Sequence, residues 1–169
     1  MGVPTSRNGV FLSRRLLLGK EEEMEPIRFL WLRDEPPLPP PSYQSEGASG
    51  MDLASAEEAV IAPGEIRLLA SGYAVAIPPG YELQARPRSG LAIRHGITLI
   101  NSPGTIDSDY RGEIMIGLIN LGKASYTVAR GERVCQLVLM PVTRAAVQVV
   151  TRLDDTARGA GGFGHTGRF

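Results

Sequence analysis

The chain has a single cysteine, Cys135, so no disulfide can form within it. The thiol lies in the apolar run 134–140, which reads as a buried, reduced side chain and points to a cytoplasmic protein. Histidine is as scarce. His95 and His165 stand far apart, and no Cys/His cluster has metal-ligand spacing, which argues against a protein-built zinc site. Net charge is absent too: 18 Lys+Arg balance 18 Asp+Glu. A general nucleic-acid binder carries a basic excess, so that class is set aside, although a small anionic ligand needs only local charge. No apolar run approaches the ~18 residues of a membrane span, so no membrane partner is expected. No stretch has a convincing helical period apart from one turn at 89–94, and there is no internal repeat.

What is abundant is punctuation. Gly (20) and Pro (13) fall between short apolar runs, the pattern of an all-β sandwich or barrel. Residues 27–32 read as the first strand, followed by a proline-rich surface linker over 34–41. Further strands are predicted at 66–70, 73–77, 81–85, 97–100, 113–120, 126–128, 133–140 and 146–150, separated by turns such as Pro63-Gly64, Pro103-Gly104 and Arg130-Gly131. The run 114–119 is apolar on both faces. In so small a chain, that predicts contact with another subunit.

The two ends differ from this middle. Residues 1–25 contain Arg14-Arg15 before three leucines and a Gly2/Ser6 pair, faint echoes of an export signal and of a myristoylation site. The leucine run stops at Gly19-Lys20 and meets three glutamates, so the segment reads as a disordered leader or an over-extended start, with Met24 a plausible beginning. Residues 26–150 form the β domain. Residues 151–169 end in GAGGFGHTGRF, too glycine-rich for a packed element, and read as a mobile arm.

Several stretches carry chemistry. Residues 101–113 read NSPGTIDSDYRGE, with a turn, three carboxylates, an aromatic ring and an arginine. If the segment is extended, Asp107 and Asp109 face opposite ways, which excludes a paired-carboxylate glycosidase arrangement. A lone aspartate beside a polyphosphate site could deprotonate water. The run 45–54 holds small residues ahead of Asp52, which allows backbone to approach a ligand. Arg88, Ser89 and Gly90 follow a strand and suit a small anion. Gln136 points sideways from an otherwise apolar strand and, taken alone, reads as a satisfied buried glutamine. His95 reads as a structural histidine. The tail 162–169 has a P-loop outline but lacks the lysine and the following helix, so a Walker site is rejected. Its freed amides, with Thr166 and Arg158, suit polyphosphate oxygens, and Phe163 suits stacking on a base. A disordered tail fits the composition equally well.

Taken in order, GASGMDLAS, PRSGLA, NSPGTIDSDYRGE, GERVCQLVL and RGAGGFGHTG resemble the five motifs of the trimeric deoxyuridine triphosphate nucleotidohydrolases, the dUTPases. The resemblance spans roughly residues 27–169. It implies a jelly-roll-like β-sandwich, a homotrimer with each site shared between chains, dUTP as substrate, and the glycine-rich arm closing over it. It implies Mg2+ held by the triphosphate and water, with Asp52 reaching the ion through water. By motif position, Arg88, Ser89, Gly90 and Gln136 resemble phosphate contacts. Asn101 with Gly104, Thr105 and Ile106 resembles the uracil reader, and Tyr110 the ring under the deoxyribose. Asp107 resembles the residue that activates the attacking water. Arg158, Gly164, His165 and Thr166 resemble arm contacts, the first and last of them to the γ-phosphate, and Phe163 the lid over uracil. Serine is also common in the family at the place of His165.

Three other readings compete. A dCTP deaminase of the same fold, or a bifunctional dCTP deaminase/dUTPase, would bring a glutamate-centred deamination motif, and none is found. A nucleotide-binding regulatory module would be expected to lack Asp107, Tyr110 or the arm, and all are present. A purely structural β-sandwich oligomer would not need the arm.

Overall fold

The computed structural model describes residues 26–162, together with the backbone of two short strands nearer the start. Those two, β1 (Arg14–Leu17) and β2 (Lys20–Glu23), pair with each other in antiparallel register. The remaining strands are β3 (Arg28–Trp31), β4 (Ser42–Tyr43), β5 (Met51–Ala54), β6 (Ala59–Ile61), β7 (Ile66–Ala76), β8 (Tyr81–Pro87), β9 (Ile97–Leu99), β10 (Gly104–Ile106), β11 (Glu113–Asn120), β12 (Tyr126–Val128) and β13 (Arg133–Pro141). The one helix among the described residues is α1 (Ser89–His95), where the sequence suggests a single turn.

Two antiparallel sheets form the sandwich. One runs β10-β8-β13-β5-β4 and the other β3-β7-β11-β9, with β12 and β6 paired separately. Inward-facing side chains of both meet in one core: Leu53, Leu83, Val134, Cys135 and Leu137 from the first, Leu69, Val75, Ile114, Ile116 and Leu118 from the second. The period-2 rule explains the selection. In β11 the even-numbered residues Ile114, Ile116 and Leu118 are at most 2% exposed, whereas Met115 between them is 43% exposed. The outer face of β11 is therefore apolar but uncovered among the described residues, in company with Ile66 and Leu68 of β7.

Where the sequence suggests two strands at 66–70 and 73–77, the structure has one long β7. The interruption is a bulge: the β7–β11 register shifts between Glu113 and Met115. Gly72 sits there with φ +79, and a Cβ at this position would lie 2.2 Å from the Trp31 ring. Both the backbone conformation and the space therefore require glycine. The strand predicted at 146–150 does not form. Those residues are exposed and pair with nothing among the described residues, Val147 and Val149 being over nine-tenths exposed. Its alternation is real, but it pairs with none of the described strands. Conversely, β4, β5, β6 and β10 are two to four residues long, too short to stand out as periodic runs.

Three buried polar side chains, Ser55, Ser71 and Asn120, are all hydrogen-bonded, and Asn120 spans the most of the fold. Asn120, 0% exposed, donates to the Ile61 and Ala124 carbonyls at 2.8 and 2.9 Å and accepts from the Gly122 N–H at 2.8 Å. It ties β11 to β6 and to the turn that leads into β12.

Candidate active site

The ladder of the first sheet assembles the cleft. Across β5–β13, Asp52 stands opposite Gln136, and across β13–β8, Gln136 stands opposite Arg86. Two residues beyond Arg86, Arg88 caps the start of α1 with extended backbone, φ −89 and ψ 121. Strand pairing thus brings residues 52, 88 and 136 together from three separate motifs. They line a cleft of about 370 Å3 with Ser89, Gly90, Leu91, Arg94, His95, Tyr126 and Glu132.

Asp52 is the charged centre of this cleft. Its carboxylate lies 3.4 Å from the Arg88 guanidinium and 3.2 Å from that of Arg133, and its side chain is 13% exposed. Arg88 also donates to the Arg133 carbonyl at 2.7 Å, and Arg133 donates to Gln44 Oε1 at 2.6 Å. Gln136 donates from Nε2 to the Pro87 carbonyl at 3.1 Å. Beside them the Tyr126 hydroxyl donates to Glu132 Oε1 at 2.5 Å, and Glu132 Oε2 accepts the Ala129 N–H at 3.0 Å. Burial and the hydrogen bond to Glu132 push the Tyr126 phenol up to about 12. Cys135, behind the cleft in the core, is pushed up to about 12 as well, by burial first and then by the charge of Asp52. It is an inert thiol, as expected from the run it sits in.

The second group of motif residues lies elsewhere. Asn101 is exposed, and a cis bond joins Ser102 to Pro103. Gly104 then opens β10, which pairs with β8 through Gly104–Ala85, Thr105–Gln84 and Ile106–Leu83. A Cβ on Gly104 would stand 2.9 Å from Asn101 Nδ2, so the close approach of backbone to that amide needs glycine. Asp107 follows at once, exposed. The next residues are not extended. Tyr110 N–H bonds the Asp107 carbonyl at 3.1 Å, closing a β-turn over 107–110, so strand alternation does not separate Asp107 from Asp109. Arg111 donates to the Ser108 and Tyr110 carbonyls, both at 2.7 Å. The Tyr110 ring folds back over Gly112, and its hydroxyl donates to the Glu113 carbonyl at 2.8 Å.

These two groups do not meet within one chain. Asp52 is three strands away from β10, about 14 Å across the sheet at ~4.8 Å per strand. It lies level with Arg86, whereas Asp107 passes beyond Leu83, which adds about 10–13 Å along the strand. Arg158 joins neither group: its guanidinium turns onto its own segment and donates to the Gly161 carbonyl at 2.8 Å. Phe163, Gly164, His165 and Thr166 lie outside the described residues.

Sequence reasoning missed Arg94, Arg133, Tyr126 and Glu132, and it misjudged His95. That histidine is exposed on the cleft, its ring 4.9 Å from that of Tyr126. Arg133 carries a signal in retrospect, since it stands three residues before Gln136 at the foot of the same strand. Nothing in the sequence ties Tyr126 to Glu132 beyond proximity.

The fold and cleft define an all-β protein that gathers arginines, a carboxylate and an amide across the neighbouring strands β5, β13 and β8. The chain belongs to the dUTPase family, whose model matches residues 37–167. It is 57% identical over 145 residues to the deoxyuridine 5'-triphosphate nucleotidohydrolase of Desulfotalea psychrophila, covering 83% of this chain and 97% of that one. It is 58% identical over 130 residues to the enzyme of the same name from Zymomonas mobilis, covering 77% and 89%. Among solved structures, the dUTPase of Staphylococcus bacteriophage 80alpha with dUpNHpp matches with a TM-score of 0.77 at 24% identity, over 85% of this chain and 99% of that one. A mutant dUTPase from phage phi11 of S. aureus, described with a structural Mg(II) ion, matches at 0.70 and 22%, over 78% and 100%. At those identities the structures speak for the fold.

Proposed function

We propose that this chain hydrolyses dUTP to dUMP and pyrophosphate. The observation that carries the reading is the convergence of Asp52, Arg88, Ser89 and Gln136 on one cleft, in a chain of this family. The cleft is of the size and polarity to take a polyphosphate. Arg88 supplies charge, and Ser89 and Gln136 supply neutral donors. Water attacks the α-phosphorus in line, Asp107 accepts its proton, and the pyrophosphate leaves. Tyr110 packs under the deoxyribose, and the backbone around Gly104 with Asn101 reads uracil.

Mg2+ fits this donor set in one role only. Among the described residues no three acidic, histidine or cysteine side chains form a metal cage, and Asp52 already answers two arginines. A single carboxylate at the cleft wall suits contact through water, with the triphosphate supplying the inner ligands. Bound there, the ion would neutralise charge building on the leaving pyrophosphate.

The working form is a homotrimer with sites shared between chains. The separation of Asp52 from Asp107 supports this, because one phosphorus cannot be near both within one chain. The uncovered apolar face of Ile66, Leu68 and Met115 supports it too, as does an unpaired, strand-patterned segment at 146–150 that a neighbour could accept. The arm 151–169 closes over the site, bringing Arg158, Phe163, Gly164, His165 and Thr166 to the nucleotide, and the protein works in the cytoplasm.

Pyrophosphate release measured across dUTP, dCTP, dTTP and UTP tests the activity. Release from dUTP alone is expected. Ammonia from dCTP would instead indicate a deaminase, and nucleotide binding without turnover a regulatory module.

A further inference from the structure

Glu113 is the third carboxylate of the 101–113 stretch and has no part in the chemistry above. It is half-buried and uses two of its groups at once. Its Oε1 accepts the Gly72 N–H at 2.7 Å and the Arg33 Nη2 at 3.1 Å. Its backbone carbonyl accepts the Tyr110 hydroxyl at 2.8 Å. The same Nη2 lies 3.5 Å from Glu57 Oε1, and the buried Nε has no partner, so the closer hydrogen bond to Glu113 is the one that orients the guanidinium.

The donor from β7 exists because of the bulge. Gly72 adopts φ +79 beneath the Trp31 ring, and the register shift leaves its N–H outside the ladder. Glu113 takes that N–H and is thereby pinned to the scaffold. From it the connection continues outward: Tyr110 hydroxyl to Glu113 carbonyl, then Tyr110 N–H to Asp107 carbonyl at 3.1 Å. Gly112 leaves the room, since a Cβ there would stand 2.4 Å from the Tyr110 hydroxyl. The loop otherwise has only the local bracing of Arg111.

We infer that Arg33 and Glu113 are positioning residues that fix the Tyr110 ring, and through it the Asp107 turn, at the height where the substrate sugar lies. The inference rests on the proposed role of Tyr110 as the ring under the deoxyribose. A Glu113 that merely satisfied the bulge amide would affect stability and nothing else. A Glu113 that sets the ring affects sugar discrimination, because a ring free to sink admits a 2′-hydroxyl.

The test measures kcat and KM for dUTP and UTP in Glu113→Ala, Glu113→Gln, Arg33→Met and Tyr110→Phe, with tryptic cleavage after Arg111 as a readout independent of turnover. Glu113→Ala is expected to lower the dUTP-over-UTP ratio of kcat/KM about threefold to tenfold, the effect of one lost hydrogen bond, mainly through KM. It is also expected to speed cleavage after Arg111. Glu113→Gln keeps an acceptor for Gly72 and is expected to restore both properties most of the way. Adding Tyr110→Phe to Glu113→Ala is expected to cost less than the two changes separately, as for members of one connected path. A folded Glu113→Ala with unchanged discrimination and unchanged cleavage overturns the proposal; if that variant does not fold, Arg33→Met decides on the same two readouts. If the native protein turns over no dUTP, the proposed function fails, while cleavage after Arg111 still decides whether Glu113 tethers the turn.

Discussion

Asp52 and Asp107 stand at opposite sides of one sheet: Asp52 lies in β5, Asp107 directly follows β10, and β13 and β8 run between them. If a neighbouring chain's loop completes each phosphate cleft, the two aspartates that serve one substrate come from different chains. Asp52→Asn and Asp107→Asn should then each be nearly inactive alone. Trimers assembled from an equal mixture should regain about a quarter of native turnover, because random assembly re-forms that share of sites with both aspartates intact. No recovery on mixing, in assemblies proven to have exchanged chains, would place both aspartates in one chain's site and refute the sharing.

Each motif residue was legible alone, but the pairing of Asp52 with Arg88 and Arg133 was not. Those arginines stand 36 and 81 positions away, and only strand register brings them to one carboxylate. Motif order alone singles out Asp107, whereas the alternation argument failed because a β-turn interrupts the extended chain. The apolar run of β11 was read correctly as two-faced, since period-2 burial depends on the sequence alone. The segment 146–150 has a strand's pattern without a strand's partner, and pattern alone cannot supply a sheet edge.

Gly104 limits how near a side chain can come to Asn101. Gly104→Ala would put a methyl 2.9 Å from Asn101 Nδ2 and 3.5 Å from the Ala85 Cβ, so the amide has to move. If Asn101 and this backbone read uracil, KM for dUTP should rise about tenfold or more, with a smaller change in kcat, because mispaired polar groups weaken base selection. Steady-state kinetics with dUTP and dCTP checks this. An unaltered KM and an unaltered preference would remove Asn101 from base recognition.

Asn120 makes a separate prediction about the scaffold. Asn120→Ala strips three backbone groups, those of Ile61, Ala124 and Gly122, of their partner in a fully buried place. The expected cost is about 3 kcal/mol, allowing for water reaching part of the gap. Urea unfolding should show it as a lower midpoint with an unchanged slope. A midpoint within error of native would mean those groups find other partners at no cost.

Cys135 gives the pH dependence. Its thiol is 0% exposed and, with burial and the nearby Asp52 charge both opposing ionisation, its pKa in the fold is raised to about 12 from the ordinary value of 9.0. In that window the unfolded chain releases a proton that the folded chain retains. Stability is thus fully present below pH 9 and falls as pH rises towards 12. The slope from this one group is at most about 1.4 kcal/mol per pH unit. Other groups titrate there too, so the difference between native protein and Cys135→Ala isolates the contribution. The variant should start less stable, from the cavity, and lose less on raising the pH. A thiol reagent at pH 9 should react with the native protein far more slowly than with the urea-unfolded chain. Parallel stability curves for the two proteins, or rapid labelling of the folded one, would show that the thiol ionises freely in place.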